Sequence, residues 1–354
     1  MEATLYRHDV ALAHAVLGGA QHHEIRSRLY LSLRDGASRG VGEVAPQPRS
    51  LNGDPGVDEV VAELVETVIP QLLAIRDREG ALASWSRWGR LVGPRPASRT
   101  AVALVEMALL DIELRREGCA LDKWWPAMHD PGVQRAVSLL DGEAEWPDLA
   151  GVRRLRAKVS PSGVHPAALD RVAAAGLPVI LDFNATATDA SQVHAVIARV
   201  ASHLDVVAIE QPFRVGNLVD TAALAREIEP LMSLDEGVRS LVDVEQIARY
   251  EAARLLCVKP ARVGGLANAR AVIAKARERG MRVYVGGFFE SPYARHVHRL
   301  LAQHCDVEAS DVAPVATRGT PLALVKSDVG LGWELNEDVL EVSTTRLRCR
   351  ASEP

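Results

Sequence analysis

The chain lacks the features that mark the more specialised protein classes. Its four cysteines, Cys119, Cys257, Cys305 and Cys349, stand far apart with no CxxC spacing, which argues against a disulfide framework or a zinc site. Cys257 falls inside an apolar run and is expected as a small core residue. No segment approaches the roughly 18 apolar residues of a membrane span. The opening Met-Glu-Ala-Thr-Leu-Tyr-Arg has neither the basic start nor the apolar stretch of a signal peptide, so a cytoplasmic protein without membrane association is expected. Basic residues do not gather into runs with interleaved aromatics and the net charge is -5; nucleic acid is not expected as a partner. No G-x-G-x-x-G opens the first helix, and there is no P-loop.

What is present is an ordinary globular composition, 48% hydrophobic and 25% charged, on a chain of 354 residues, long enough for about two domains. Residues 24–33 alternate in strand fashion up to the turn signal Arg34-Asp-Gly36, and Gly40 to Val44 reads as the returning strand. Helical patterns follow at Val57 to Ile75 and at Ser98 to Glu117, the latter closed by Gly118. This gives an α+β module over residues 1–125. From about Val133 short apolar runs alternate with amphipathic helices, at Pro166 to Ala175, Ala190 to His203, Val219 to Ile228, Val242 to Ala252, Leu266 to Arg279 and Pro292 to His304. Strands apolar on both faces and joined by helices imply a parallel sheet. With Arg135 to Leu140 in front and Arg282 to Val285 and Cys305 to Ala309 behind, about eight strands are expected, the number that closes a (β/α) barrel, over residues 126–325. Residues 326–354 form a final segment.

Five of these runs end in a charge: Lys158, Asp182, Glu210, Asp235 and Lys259, spaced 24, 28, 25 and 24 residues apart. Barrels place chemistry at the C-terminal ends of many consecutive strands, whereas open sheets concentrate it at one switch point. Five in succession therefore favour the barrel. Asp182, Glu210 and Asp235 on neighbouring strands would repel one another without a cation between them, and hard oxygen ligands suit Mg²⁺, with Mn²⁺ as the alternative. Lys158 and Lys259 would flank the ion. A desolvated lysine near a cation titrates closer to neutrality and can act as a general base; binding an anionic substrate is the simpler alternative for each. Together these groups suggest removal of the proton next to the carboxylate of a small-molecule substrate through an enediolate.

The sequence also resembles the enolase superfamily, specifically its muconate lactonizing enzyme subgroup, over nearly its whole length. The likeness rests on Gly42-Glu43-Val-Ala-Pro46, on Ala103 to Asp111 leading to Gly118, and on Gly330 to Asn336. At the site it rests on Lys158 as the second lysine of KxK, Asp182 and Asn184 as DxN, Glu210 in E-Q-P, Asp235 with Glu236 as the D-E pair, and Lys259. The stretches Val258 to Gly265 and Gly286 to Ser291 are most similar to o-succinylbenzoate synthases and N-succinylamino acid racemases. The resemblance implies that residues 1–125 cap the barrel, that residues 326–354 return to the cap, and that a loop at Gly18 to His23 closes over substrate. It implies Arg156, Asn184, Glu236, Gly287, Glu290, Ser291, His22 and His23 as substrate-binding or supporting residues. Dehydration of the o-succinylbenzoate synthase type, with Lys158 as base and Lys259 stabilising charge, is the leading expectation. Racemisation of an N-acylated amino acid is second, cycloisomerisation third, and a barrel without catalysis is disfavoured by the intact ligand set. A homo-oligomer is compatible with this pattern. Arg156 in place of the first KxK lysine keeps the cation but not the base, and Phe183 and Pro292 reshape the pocket. His296, His298 and His304 lack a carboxylate or cysteine frame for a metal, and Trp85, Trp88, Trp124 and Trp125 are expected to be buried in the cap and its junction with the barrel.

Overall fold

The computed structural model describes residues 1–18, 21–75, 96–142, 146–313, 324–335 and 345–349; Trp85 and Trp88 lie outside them. Strands β1 (Glu2–Gly18), β2 (Gln21–Asp35) and β3 (Ser38–Val44) form an antiparallel meander. A strand near the C-terminus, Thr345–Cys349, pairs with β1 to complete four strands. Gly36, at φ 61°, makes the tight turn between β2 and β3. Strand alternation divides β2 between two cores: Leu29, Leu31 and Leu33 face the module's own helices, while Tyr30 joins the barrel core.

The helical run after β3 was expected as one helix. Instead α1 (Val57–Glu63) passes through a π turn, Leu64–Val68, into α2 (Ile69–Leu73). Pro70 has no N–H to continue the α ladder, and the register shift before it keeps Leu64, Val68, Ile69 and Leu72 buried. The helix α3 (Pro96–Arg116) lies directly on β3. A β-carbon at Gly42 would stand 2.2 Å from the Leu104 carbonyl oxygen, and one at Gly40 2.3 Å from that of Ala108. Two glycines on one face of the strand thus allow backbone to touch backbone. A short α4 (Leu121–Trp124) leads into the second unit.

Strands β4 (Val133–Ser138), β5 (Val152–Lys158), β6 (Val179–Asp182), β7 (Val206–Glu210), β8 (Leu231–Leu234), β9 (Leu255–Val258) and β10 (Arg282–Val285) form one curled parallel sheet in sequence order. Helices α5 (Pro166–Ala175), α6 (Ala190–Val200), α7 (Leu218–Glu227), α8 (Leu241–Tyr250), a short α9 (Pro260–Val263), α10 (Leu266–Glu278) and α11 (Pro292–His304) connect and cover it. The expected eighth strand, Cys305 to Ala309, is not a regular strand. Residues 308–311 close the ring instead, with Glu308 and Asp311 N–H groups donating to Val283 and Val285, and Ser310 bridging to Gly132 and Gln134. One ladder position is filled by a side chain, because Val285 N–H donates to Ser310 Oγ at 3.0 Å. That substitution explains the irregular geometry.

The cap meets the barrel through buried carboxylates that accept backbone N–H groups. Glu106 of α3 takes the first turn of α10, from Leu266 and from Ala267 at 3.1 Å. Glu43 of β3 takes Ser291 N–H at 2.6 Å and Ala294 N–H at 3.4 Å at the start of α11. Asp111 joins Val41 N–H at 2.9 Å to Leu331 N–H at 2.8 Å. Glu106 and Glu43 sit where a helix dipole and unpaired donors favour negative charge.

Two predictions follow from this packing. Gly42→Ala drives a β-carbon into the α3 backbone and should destabilise the fold by about 1–3 kcal/mol, measured by urea unfolding. Burial raises the Glu106 carboxyl from 4.5 to about 7, against the two N–H donors. The native state therefore keeps a proton that the unfolded chain has lost. Stability should fall by up to about 3 kcal/mol as pH rises from 4.5 to 7, and Glu106→Gln should flatten that slope.

Candidate active site

Parallel register brings the first three strand-end charges into line and staggers the next by two residues. Lys158 pairs with Asp182, Asp182 with Glu210, and Glu210 with Ser233, two residues before Asp235. Residues two positions earlier on these strands, Ile180, Ala208 and Cys257, pack with Tyr284 as an apolar layer inside the barrel. The charges form the next layer, at the C-terminal mouth. Non-glycine residues with left-handed backbone follow these ends, at Asn184 (φ 45°), Ala185 (61°), Gln211 (37°) and Phe289 (80°). Such strain concentrates where surrounding structure holds functional groups in place.

The acids are buried, and basic side chains reach them. Arg156 Nη1 donates to Asp182 Oδ2 and Glu210 Oε1, both at 3.2 Å, while its Nη2 donates to Asp311 Oδ2 at 3.1 Å. Tyr284 Oη donates to Glu210 Oε2. Asn184 gives its backbone N–H to Asp182 Oδ1 at 2.9 Å and its amide to Oδ2 at 3.1 Å. Asp235 takes Lys259 Nζ at 2.8 Å and Arg262 Nη1 at 2.5 Å. Arg262 in turn forks onto Asp54 of the cap, at 2.7 and 2.6 Å. The Phe288 ring lies 4.6 Å from Lys259 Nζ.

Electrostatics separates these groups. Burial and the Asp182 charge push Glu210 up to about 8, although Arg156 opposes them. Burial, Asp235 and Asp182 push Glu236 to about 7. Burial would raise Asp235 as well, but Arg262 and Lys259 hold it well below the usual carboxylate range. Loss of hydration lowers the Lys158 ammonium to about 8, helped by Arg156 and Lys259 and opposed by Asp182. Lys259 moves the other way: Asp235 outweighs its burial and keeps it protonated.

Among the described residues, no three acid, histidine or cysteine groups already surround a common point as ligands. The donor chemistry nevertheless fits a divalent ion. The oxygens are hard, Glu210 and Glu236 are pushed up by burial and by their acidic neighbours, and Glu236 Oε2 is buried without a hydrogen-bond partner. This is a site with unmet demand for positive charge.

The other expected residues fall in distinct places. Glu236 Oε1 accepts from Asn52 of the cap at 3.2 Å. Glu290 Oε2 accepts Phe288 N–H at 2.8 Å and pairs with Arg295 at 3.1 Å, and a β-carbon on Gly287 would meet that oxygen at 2.5 Å. The Ser291 hydroxyl donates to Glu43 and accepts from Tyr293 N–H at the start of α11. His22 and His23 lie on β2 at the β1–β2 hairpin, opposite Leu17 and Val16, and their side chains are outside the described residues.

A family model for the Enolase C-terminal domain-like fold matches residues 143–339, more than half of the chain and every site residue from Arg156 to Asp311. The chain belongs to the enolase superfamily. Within it, an o-succinylbenzoate synthase of Enterococcus faecalis is 30% identical over 203 residues, spanning 54% of each chain, about half the length of that relative. An N-succinylamino acid racemase of Amycolatopsis is 28% identical over 78% of this chain and 76% of its own. The solved N-succinyl Arg/Lys racemase of Bacillus cereus shares the superfamily fold with a TM-score of 0.83 at 18% identity, over 99% of both chains.

Four contributors carry no signal in the strand-end pattern: Asp54, Arg262, Tyr284 and Asp311. Asp311 ends the irregular closing segment, and Tyr284 is the inward neighbour of Cys257, so barrel register would have found both. Asp54 reads as a turn residue in Asn52-Gly-Asp54. Because Tyr284 supplies a buried hydrogen bond to Glu210, Tyr284→Phe should lower stability by about 1.5–3 kcal/mol in urea titration while leaving the fold intact.

Proposed function

We propose that the protein is a Mg²⁺-dependent lyase that removes the proton α to a substrate carboxylate and expels hydroxide, a dehydration of the o-succinylbenzoate synthase type. The observation that carries this reading is the opposed state of the two lysines. Lys158 is brought near 8 and can be neutral at working pH, whereas Lys259 is ion-paired to Asp235 and seated on the Phe288 ring. One base and one fixed cation suit a reaction on a single face.

Asp182, Glu210 and Asp235 would hold the ion, Mg²⁺ or Mn²⁺, which when bound neutralises the substrate carboxylate and the charge of the enediolate. Lys158 Nζ takes the α-proton, and the C–H electron pair passes into the enediolate. The enediolate then expels the β-hydroxyl, which takes the proton back from Lys158 and leaves as water. Lys259 contributes charge from the far side. Arg156 cannot share the proton transfer, since its guanidinium stays protonated. The names of the curated relatives support both this activity and the second reading, racemisation of N-succinylamino acids. Racemisation needs Lys259 both to give and to take a proton on the opposite face, and its pairing with Asp235 opposes the neutral form that one direction requires. Cycloisomerisation ranks third.

The test is turnover in D₂O with Mg²⁺, using the cyclohexadiene precursor of o-succinylbenzoate and a panel of N-succinyl amino acids. Dehydration product is expected, lost on EDTA treatment and reduced on the order of 10²–10⁴-fold in Lys158→Ala. Deuterium incorporation into an N-succinyl amino acid that needs both Lys158 and Lys259, without dehydration product, would replace this reading with the racemase.

A further inference from the structure

We propose that Arg156 is a resident counter-ion of the Asp182 and Glu210 pair, that an entering divalent cation must displace it, and that Asp311 receives the displaced guanidinium. The proposal rests on the metal reading above and assigns a regulating role to residues outside the ligand set.

The contacts around Arg156 are unequal in kind. Its Nη1 is shared between two acids at 3.2 Å each, long for charge-assisted hydrogen bonds, which usually run about 2.7–2.9 Å. Arg262 on Asp54 shows the tight alternative, a two-pronged fork at 2.7 and 2.6 Å. Arg156 thus divides one nitrogen between the two acids it neutralises and forks onto neither. The outer sides of these acids are already served, Glu210 Oε2 by Tyr284 and Asp182 Oδ1 by the Asn184 N–H. The oxygens that Nη1 joins are Asp182 Oδ2, which also accepts the Asn184 amide at 3.1 Å, and Glu210 Oε1. A divalent ion held by Asp182 and Glu210 would approach their oxygens to about 2.0–2.1 Å and would compete for the space that Nη1 occupies.

A place for the guanidinium is already prepared. Nη2 reaches Asp311 Oδ2 at 3.1 Å, and Nε is buried with no hydrogen-bond partner. A small rotation toward Asp311 would give the stranded Nε an acceptor and convert a single contact into a fork. Asp311 is itself fixed: Arg295 Nη1 donates to its backbone oxygen and lies 3.4 Å from Oδ1, while Arg295 Nε pairs with Glu290 at 3.1 Å. The chain Glu290, Arg295, Asp311 and Arg156 thus ties the loop that carries Phe288 to the acid pair.

Mn²⁺ binding without substrate, followed by electron paramagnetic resonance and by titration calorimetry, tests this apart from turnover. Arg156→Gln should bind Mn²⁺ about tenfold more tightly than the wild type, having lost both the competing donor and its charge. Asp311→Asn should bind several-fold more weakly, because the guanidinium loses its alternative partner. In the double variant the Asp311 substitution should have almost no effect, since it acts through Arg156. Equal or weaker binding by Arg156→Gln, or an undiminished Asp311 effect in the double variant, overturns the proposal. Should Arg156→Gln not fold, Asp311→Asn decides alone: unchanged or tighter binding refutes it. No Mn²⁺ binding by any form, wild type included, would instead overturn the metal reading on which this rests.

Discussion

Buried negative charge is the constraint from which the rest of the structure follows. Asp182, Glu210, Asp235 and Glu236 stand at the mouth of the barrel with almost no exposure. Two unit charges 4 Å apart cost about 4 kcal/mol at an effective dielectric of 20, so the group cannot persist without compensation. Arg156 meets the first two acids, Lys259 and Arg262 meet the third, and Glu236 keeps an unpartnered oxygen. The incompleteness is informative. A fully neutralised cluster would have no use for an added ion, whereas this one retains carboxyls driven upward by burial and by their neighbours.

The same constraint fixes the cap. Arg262 spans from Asp235 to Asp54, so the charge balance of the mouth is completed from the N-terminal module. Arg26 and Arg28 of β2 donate to the carbonyls of Phe288, Phe289 and Glu290, and Glu43 takes the N–H groups at the start of α11. The loop after β10 is held from both sides, and that loop carries the ring against Lys259. Losing one partner of a buried pair is expensive, about 3–5 kcal/mol. Cap and barrel are accordingly coupled through the site rather than merely packed beside it.

The spacing of charged residues disclosed the fold and the inner ring because each member ends an apolar strand, and parallel register then aligns them. Features set by contacts distant in sequence were not legible. Asp54 and Arg262 lie 208 residues apart, and neither position has local periodicity that predicts the pair. A strand was expected at Cys305 to Ala309, but the ring closes at 308–311, where Ser310 replaces a ladder bond with its hydroxyl, which no pattern of apolar residues encodes. Strand β1 was missed for a related reason. It pairs with β2 and with Thr345–Cys349, the second a contact set by residues far away in sequence.

The two lysines show how position in this charge field, more than residue type, decides chemistry. Both are lysines at strand ends on either side of the acids, and symmetry would make both bases. Burial disfavours both ammonium groups; Asp235, in direct contact with Lys259, outweighs it there, while at Lys158 burial prevails over Asp182 with help from Arg156. One lysine is stabilised as a cation and the other is pushed toward neutrality. A racemase would need that difference small, so that either face could give or take a proton. A dehydration that works on one face gains from making it large, and burial together with the Asp235 contact makes it large.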